Sequence, residues 1–461
     1  MSSSGFSIFR NSISEKLSDT VLQQAMKKNT ENYEQKFGDG IAQFNDFEGC
    51  RERLSYLKKR ALNNLDKYLL EFESKFIRNG GTVYWADTVD DVARILAEIL
   101  PENRGVIVKS KSMTGEEIGF DNVAKERGDE VVETDLGEFI VQQMGQKPSH
   151  ITAPAIHLSK VQIAEFFNTR FGSDKNASAE EITDFVRKLL RTKFTESSVG
   201  VTGANFIIAD TGSVAITENE GNASLATSWP RKHIVIAGIE KVIPSVRDLY
   251  LFWPMLASHA TGQKISVYNH IISGPARSAE LDGPGEMAVI LVNNKRHVLL
   301  EDLFLRESLQ CIRCGACLTV CPVFCKLSGH AWPSVYSGPI GSVIHPHIGD
   351  EANNFHLSFA STLCGKCTQR CPVKIPVHNL LVYNRHLAVE RKLIPAAEGR
   401  LMRMIVKRLK SRKSMDLWSA KIKGLVFRII LRKSWMRHKA PLQFAEKSFN
   451  TLMTEKKKGS S

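Results

Sequence analysis

CIRCGACLTVCP, residues 311–322, sets Cys311, Cys314, Cys317 and Cys321 at the spacing C-x2-C-x2-C-x3-C, with Pro322 closing the run. This is the thiolate pattern of bacterial ferredoxin-type iron–sulfur clusters. Three thiolates at i, i+3 and i+6 share one short loop, which can wrap an iron–sulfur cube. The fourth follows three residues later. The proline then turns the chain away, so that this thiol serves a second cluster. A shorter run, Cys364, Cys367 and Cys371, ends on Pro372 in the same way. Seven of the nine cysteines lie in the two runs, which makes electron transfer the leading reading of the chain.

Crossed ligation assigns Cys311, Cys314, Cys317 and Cys371 to cluster one, and Cys321, Cys364 and Cys367 to cluster two. The second set is one thiolate short. A complete run would carry cysteine at position 361, where Ser361 stands. Three readings stay open. The site has an open iron or a three-iron core; a non-cysteine ligand such as Ser361 completes it, although oxygen is a hard partner for so soft a site; or Cys325, four residues past Cys321, swings in. The expected cofactors are two [4Fe-4S] clusters, the second with an incomplete ligand set or as [3Fe-4S]. Zinc is the competing occupant of CxxC pairs, but it explains neither a third cysteine at i+6 nor the paired Cys-Pro endings. Disulfides need a secreted protein, and nothing marks this one as such. Cys50 stands alone and reads as an inert thiol.

Upstream of the cysteines the pattern changes. Residues 1–50 form a polar, helical N-terminal segment. From Arg51 to Phe76, Leu54, Leu57, Leu62, Leu65, Leu69, Phe72 and Phe76 recur at helical spacing, and Gly80-Gly81 ends that helix. Strands and helices then alternate. Strands are expected at 82–86, 105–109, 130–134, 206–209, 213–217, 233–237, 266–271 and 288–292. A helix is expected over 88–100, with Thr88 as N-cap and Asp91 supporting it. Short β-branched strands between helical segments argue an α/β domain over 51–297. Residues 298–390 carry the cysteine runs among Gly-Pro-rich loops and form the ferredoxin-type 4Fe-4S domain.

The net charge of +13 is concentrated in one place. Residues 391–440 hold sixteen Lys and Arg against Glu398 and Asp416, so the rest of the chain is close to neutral. That argues against a nucleic-acid-binding fold. Residues 391–461 read as a basic amphipathic C-terminal region. Ile422, Leu425, Val426, Ile429 and Ile430 form its apolar stripe, among Lys421, Lys423, Arg428, Arg432 and Lys433. An acidic membrane surface, an acidic partner subunit and a plain solvated face are its three readings. Lys456 to Ser461 are expected to be disordered. No signal-peptide core and no stretch of about 18 apolar residues is present. A cytosolic protein is therefore expected, with peripheral contact at the inner face of the membrane left open.

The order of segments resembles the lactate utilization protein B family. The resemblance is carried by VKSKSMTGEEIG (108–119), VVETDLGEFIVQ (131–142), PSHITAPAIH (148–157), GVTGANFIIADTGSVAITENEGNASL (200–225), ATGQKISVYNHIISGPA (260–276) and the cysteine region through LCGKCTQRCPVKIP (363–376). It covers about residues 50–435. It implies a LUD domain, related in fold to CoA transferases and sugar-phosphate isomerases, ahead of the two-cluster domain. It also implies membership of a complex oxidising L-lactate to pyruvate. The implied partners are a cysteine-rich-domain iron–sulfur subunit and a short LUD-domain subunit.

No catalytic residue is fixed by the sequence. Glu218 and Glu220, in the polar stretch 217–222 after a strand, are candidates for a base or for orienting a substrate hydroxyl. A polar turn capped by its own Asn and Gly is the plain alternative. Lys109, Ser110, Ser112, Asp210 and Thr211 would line the same pocket if strand ends converge. Ser224 stands where a basic residue is expected in such a domain. His150 and His157 flank a segment that reads as a buried strand, and both read as packed histidines. His345 and His347 lie between the cysteine runs. Residues 282–285, Asp-Gly-Pro-Gly, read as a connecting turn. No Gly-x-Gly-x-x-Gly dinucleotide fingerprint is present. The expectation is an electron-transfer subunit with an unidentified acceptor. The alternative is a stand-alone enzyme whose LUD domain does acyl or sugar-phosphate chemistry beside structural clusters.

Overall fold

A computed structural model describes residues 4–394, 396–411, 419–431 and 443–458. The chain divides into two units, Met1–His386 and Leu387–Ser461.

The first unit is built on ten strands. They are β1 (Thr82–Ala86), β2 (Val106–Lys109), β3 (Glu130–Glu133), β4 (Ser197–Gly203), β5 (Phe206–Ile208), β6 (Ser213–Glu218), β7 (Lys232–Gly238), β8 (Val242–Ile243), β9 (Tyr268–Ile272) and β10 (Glu286–Val292). Six form an all-parallel sheet in the order β1-β10-β7-β4-β2-β3. The other four form a mixed sheet, β8-β5-β6-β9. Parallel strands need both faces covered, and alternation along β7 achieves this. Ile234 and Ile236 join Val92, Ile95, Leu96 and Ile99 of the helix Val89–Ile99 on one face. Val235 and Ala237 join Leu69, Phe72 and Phe76 of the helix Leu65–Arg78 and residues of the second sheet on the other. A third core lies between Val108 and Val132 and the helices Lys160–Phe171 and Ala179–Glu196.

The helix Val89–Ile99 starts with a full capping box between Thr88 and Asp91, as expected. Three local expectations are corrected. The helix expected over 51–76 is two helices, Phe47–Asn63 and Leu65–Arg78. Asn64 leaves helical geometry and its amide donates back to the Arg60 carbonyl at 2.9 Å, the competition with the helix ladder that favours Asn at breaks. The segment between His150 and His157 is a run of turns, not a strand. Ser149 N–H donates to the Pro154 carbonyl at 2.9 Å, and two prolines within seven residues remove the donors a ladder would need. Of Lys456 to Ser461, expected to be disordered, Lys456–Lys458 complete the helix Phe449–Lys458, and residues 459–461 lie outside the described residues.

Residues 298–390 contain no strand and fold as short helices around the cysteine runs, closed by Gly338–Ile348 and Val377–Glu390. The N-terminal helices Ser4–Ser18 and Thr20–Ile41 lie across both halves of this unit. Tyr33 donates to the His259 carbonyl at 2.6 Å, and Arg370 donates to Glu34 at 2.7 Å. In the second unit the helices are Ala396–Leu409, Ala420–Leu431 and Phe449–Lys458. Ile422, Leu425 and Ile429 are exposed there, while Arg432 and Lys433 lie outside the described residues. No described helix is long and apolar enough to cross a membrane.

Candidate functional site

The two cysteine runs fold into matching loops. Each needs a backbone with positive φ at two places, Arg313 and Gly315 in the first (60° and 75°) and Leu363 and Gly365 in the second (54° and 79°). Glycine adopts that conformation freely; Arg313 and Leu363 hold it at a cost. The twist turns N–H groups toward the thiols. Arg313 N–H donates to Cys311 Sγ and Ile375 N–H to Cys371 Sγ, each at 3.4 Å.

Cys311, Cys314, Cys317 and Cys371 line one small cavity with Ile151, Ile312, Ile340 and Val373. The structure thus brings the last cysteine of the second run to the first three of the first run. Burial, then Cys311 and Cys371, push the Cys314 thiol up, and burial followed by three first-cage thiols and Cys367 does the same for Cys317. On the other side, Cys321 and Cys364 raise Cys367, after burial. A cage of mutually repelling thiolates in an apolar pocket is unfavourable alone and fits a cationic core, which deprotonates its thiols outright. Among the described residues no three His, Cys, Asp or Glu close up as a single metal ion requires, with Zn–S at about 2.3 Å. Cys364 is exposed, whereas Cys314, Cys321, Cys367 and Cys371 are buried, so the second cage is the one nearer the surface. Cys325 Sγ donates to the Thr319 carbonyl at 3.1 Å. Cys50 is half-buried, and burial raises its thiol.

The first cage rests on the edge of the parallel sheet where the strands end. Arg313, inside the first loop, lies 4.4 Å from the Tyr336 ring centre and donates to Glu240, just after β7, at 3.3 Å. Glu240 also accepts from Arg296 Nε at 2.6 Å, and both terminal nitrogens of Arg296 donate to Glu117 at 2.8 Å. Tyr336 donates to Glu117 at 2.5 Å. Arg296 is 2 % exposed, so this ion network is sealed from water. The two arginines hold the Glu240 carboxyl down at about 2 against the effect of its burial. Paired and multiply hydrogen-bonded, these charges satisfy one another; removing one partner would strand the rest. Lys58, buried, and Lys241, half-buried, add positive charge near Cys311.

The LUD-type candidates divide. Glu218 accepts from Ala223 N–H at 2.7 Å, Ser224 N–H at 2.8 Å and His270 Nε2 at 3.1 Å. It ties down the start of the helix Asn222–Ser228, and its partners leave it little freedom to act as a base. Glu220 accepts from Leu136 N–H at 3.0 Å; although its side chain reaches solvent, desolvation of the carboxyl and then Asp135 push it up to about 7. Asn222 donates to Thr134 Oγ1 at 3.2 Å, so residues 217–222 do meet the ends of β2 and β3. Lys109 is buried against Glu133 and Asp121, and Lys111 against Glu138. Ser110 N–H extends the β2–β4 ladder by donating to Val201, and Ser112 caps the helix Met113–Glu117. Asp210 and Thr211 do not join this group. They sit in the β5–β6 turn, at the opposite end of β6, where Lys75 donates to the Asp210 carbonyl and Asn79 to that of Thr211.

His150 belongs to the cysteine site. A side chain at Gly315 would meet its ring at 2.9 Å, and the ring lies edge-on to Phe324 at 5.6 Å. His157 packs on His330 with ring centres 4.2 Å apart. His345 is pushed down by burial, and His347 meets Asn384 at 3.0 Å. Residues 282–285 form a turn that accepts Ala276 N–H at 2.8 Å. Sequence reasoning missed Glu116, whose carboxyl is pushed up to about 7 by burial and then by Glu138. It also missed the Glu117–Arg296–Glu240–Arg313 network. The partners are remote in sequence, so no local spacing could have announced them.

A parallel α/β domain carrying a helical, twice-looped cysteine domain on its strand-end edge defines the class, an iron–sulfur protein with a LUD domain. The LUD domain family matches residues 69–292, and the 4Fe-4S dicluster domain family matches residues 307–375. Lactate utilization protein B of Bacillus pumilus is 40% identical over 403 residues, 87% of this chain and 85% of that protein. Lactate utilization protein B of Bacillus cytotoxicus is 42% identical over 361 residues, covering 78% and 76%. The chain belongs to the lactate utilization protein B family. A DUF162 family protein from Deinococcus radiodurans aligns with 50% of this chain and 98% of its own at 14% identity, with a TM-score of 0.29, too distant a likeness to bear on the site.

Proposed function

We propose that this chain is the electron-transfer subunit of a complex that oxidises L-lactate to pyruvate, holding one iron–sulfur cluster on Cys311, Cys314, Cys317 and Cys371 and a second on Cys321, Cys364 and Cys367. The observation that carries the reading is the exchange of the last cysteine between the two loops. Oxidising a 2-hydroxy acid to the oxo acid releases two electrons and two protons, and clusters accept electrons singly, so a pair of them in one subunit suits the task. The chain's own residues set the surroundings. Lys58, Lys241 and Arg313 place positive charge beside the first cage, and Arg51, 2.8 Å from the Cys371 carbonyl, adds more. This favours extra negative charge there. The first cage faces the LUD domain, and the exposed Cys364 suits exit from the second toward another subunit.

The proposed partners are a cysteine-rich-domain iron–sulfur subunit and a short LUD-domain subunit. The names of the relatives supply the link to lactate. The test is reconstitution. The purified chain alone should leave L-lactate untouched, and adding both partners should restore turnover with its clusters becoming reduced. Rapid turnover by the isolated chain would overturn the proposal. It would favour the second reading, an enzyme of acyl or sugar-phosphate chemistry, for which the raised carboxyl of Glu116 beside Lys109 and Lys111 speaks.

A further inference from the structure

The two loops align in sequence register, fifty residues apart: Cys314 with Cys364, Gly315 with Gly365, Cys317 with Cys367, Cys321 with Cys371, Pro322 with Pro372. The backbone repeats, as the paired φ values of Arg313 and Leu363 and of the two glycines show. The bonds to sulfur repeat as well. Cys314 accepts from the Ala316 backbone and Cys364 from that of Lys366; Cys321 accepts from Val323 and Cys371 from Val373. At the first position of the register stand Cys311 and Ser361. Arg313 N–H donates to Cys311 Sγ at 3.4 Å, and Leu363 N–H donates to Ser361 Oγ at 3.1 Å. The serine oxygen therefore occupies the place of the missing thiol.

The position is also fixed from behind. Arg385 donates to the Ser361 carbonyl at 3.1 Å and to the Ser358 carbonyl at 2.9 Å, and its guanidinium lies 5.1 Å from the Phe359 ring centre. Cys325, the competing ligand, spends its thiol proton on Thr319.

We propose that Ser361 Oγ is the fourth protein ligand of the second cluster, binding as the alkoxide and releasing its proton to solvent, which reaches this half-exposed loop. Oxygen is a harder donor than thiolate, so the iron that Ser361 holds is the one this protein loses first. The inference rests on the ligand reading above, and iron and sulfide content of the unaltered chain tests that reading separately.

The experiment uses the full chain, reconstituted without oxygen, and follows iron content, Mössbauer and EPR spectra during mild oxidation. The unaltered chain should show one iron with an oxygen ligand. Ser361→Ala should release about one iron per chain several-fold faster than the unaltered protein and develop a three-iron EPR signal. Ser361→Cys, which controls for folding, should keep the full iron content and lose it several-fold more slowly than the unaltered chain. Cys325→Ala should behave as the unaltered chain does. If Ser361→Ala and Ser361→Cys both match the unaltered chain, or Cys325→Ala yields the three-iron signal, the assignment is overturned. An unaltered chain that takes up only one cluster would remove the ligand reading and this inference with it.

Discussion

Cys371 is the residue at which the crossed arrangement is most exposed to test. It lies in the second run but lines the first cavity, so Cys371→Ala should abolish the spectrum of the buried cluster and leave that of the exposed one. Loss of the exposed cluster alone would show that each run serves itself. Glu116 makes a different claim. Its carboxyl is raised from 4.5 to about 7 by burial, then by Glu138. Between those pH values the unfolded chain gives up this proton while the folded chain keeps it. Its contribution to stability therefore falls as pH rises through that window and is level above it. Glu116→Gln should gain in thermal midpoint over the unaltered protein between about pH 4.5 and 7, with no further gain at higher pH. A difference independent of pH would place Glu116 in a setting other than the one described.

Among the elements, the C-terminal helices invite the next test. They expose Met402, Met404, Ile405 and Val406, and then Ile422, Leu425 and Ile429, within the most basic stretch of the chain. Removing residues 387–461 should leave both clusters in place, since every cysteine precedes them. It should weaken co-sedimentation with anionic vesicles or capture by the partner subunits, and salt should weaken the intact chain likewise, with screening over about 8 Å at physiological ionic strength. If the shortened chain binds both as the intact one does at low salt, the segment is a solvated tail. How far elements were legible in the sequence follows the range of the forces that make them. The capping box at Thr88, the strands at 82–86 and 288–292 and the cysteine loops rest on neighbours within a few residues, and the sequence displays those neighbours. The strand Ser197–Gly203 gives no clear sequence signal because its glycines dilute the β-branched pattern; it is buried by contacts from β2 and β7. The break at Asn64 was hidden by unbroken apolar spacing. At the candidate site, the sequence shows the seven thiols, their exchange of partners and Ser361 at the missing position, but it cannot choose Ser361 over Cys325; the hydrogen bonds of Leu363 N–H to Ser361 and of Cys325 to Thr319 separate them.

At the scale of the whole molecule, the helices Thr20–Ile41 and Phe47–Asn63 have a role that their polar composition conceals. Arg51 grips the carbonyls of Gln369 and Cys371 at 2.8 Å, Glu48 and Glu52 hold Lys374, and Glu34 holds Arg370. All of these receivers stand on or beside the second cysteine loop. That loop is held by these contacts, by Arg385 from behind and, in the reading above, by what its thiols bind. Without iron the grips should fail together, and brief protease treatment should cut the iron-free chain within residues 361–376 while sparing the loaded one; equal resistance of both would refute the dependence. Residues 34–52 and 369–374 are thus tied together across some three hundred residues of sequence, so the second cysteine loop cannot shift without pulling on helices that precede the whole LUD domain.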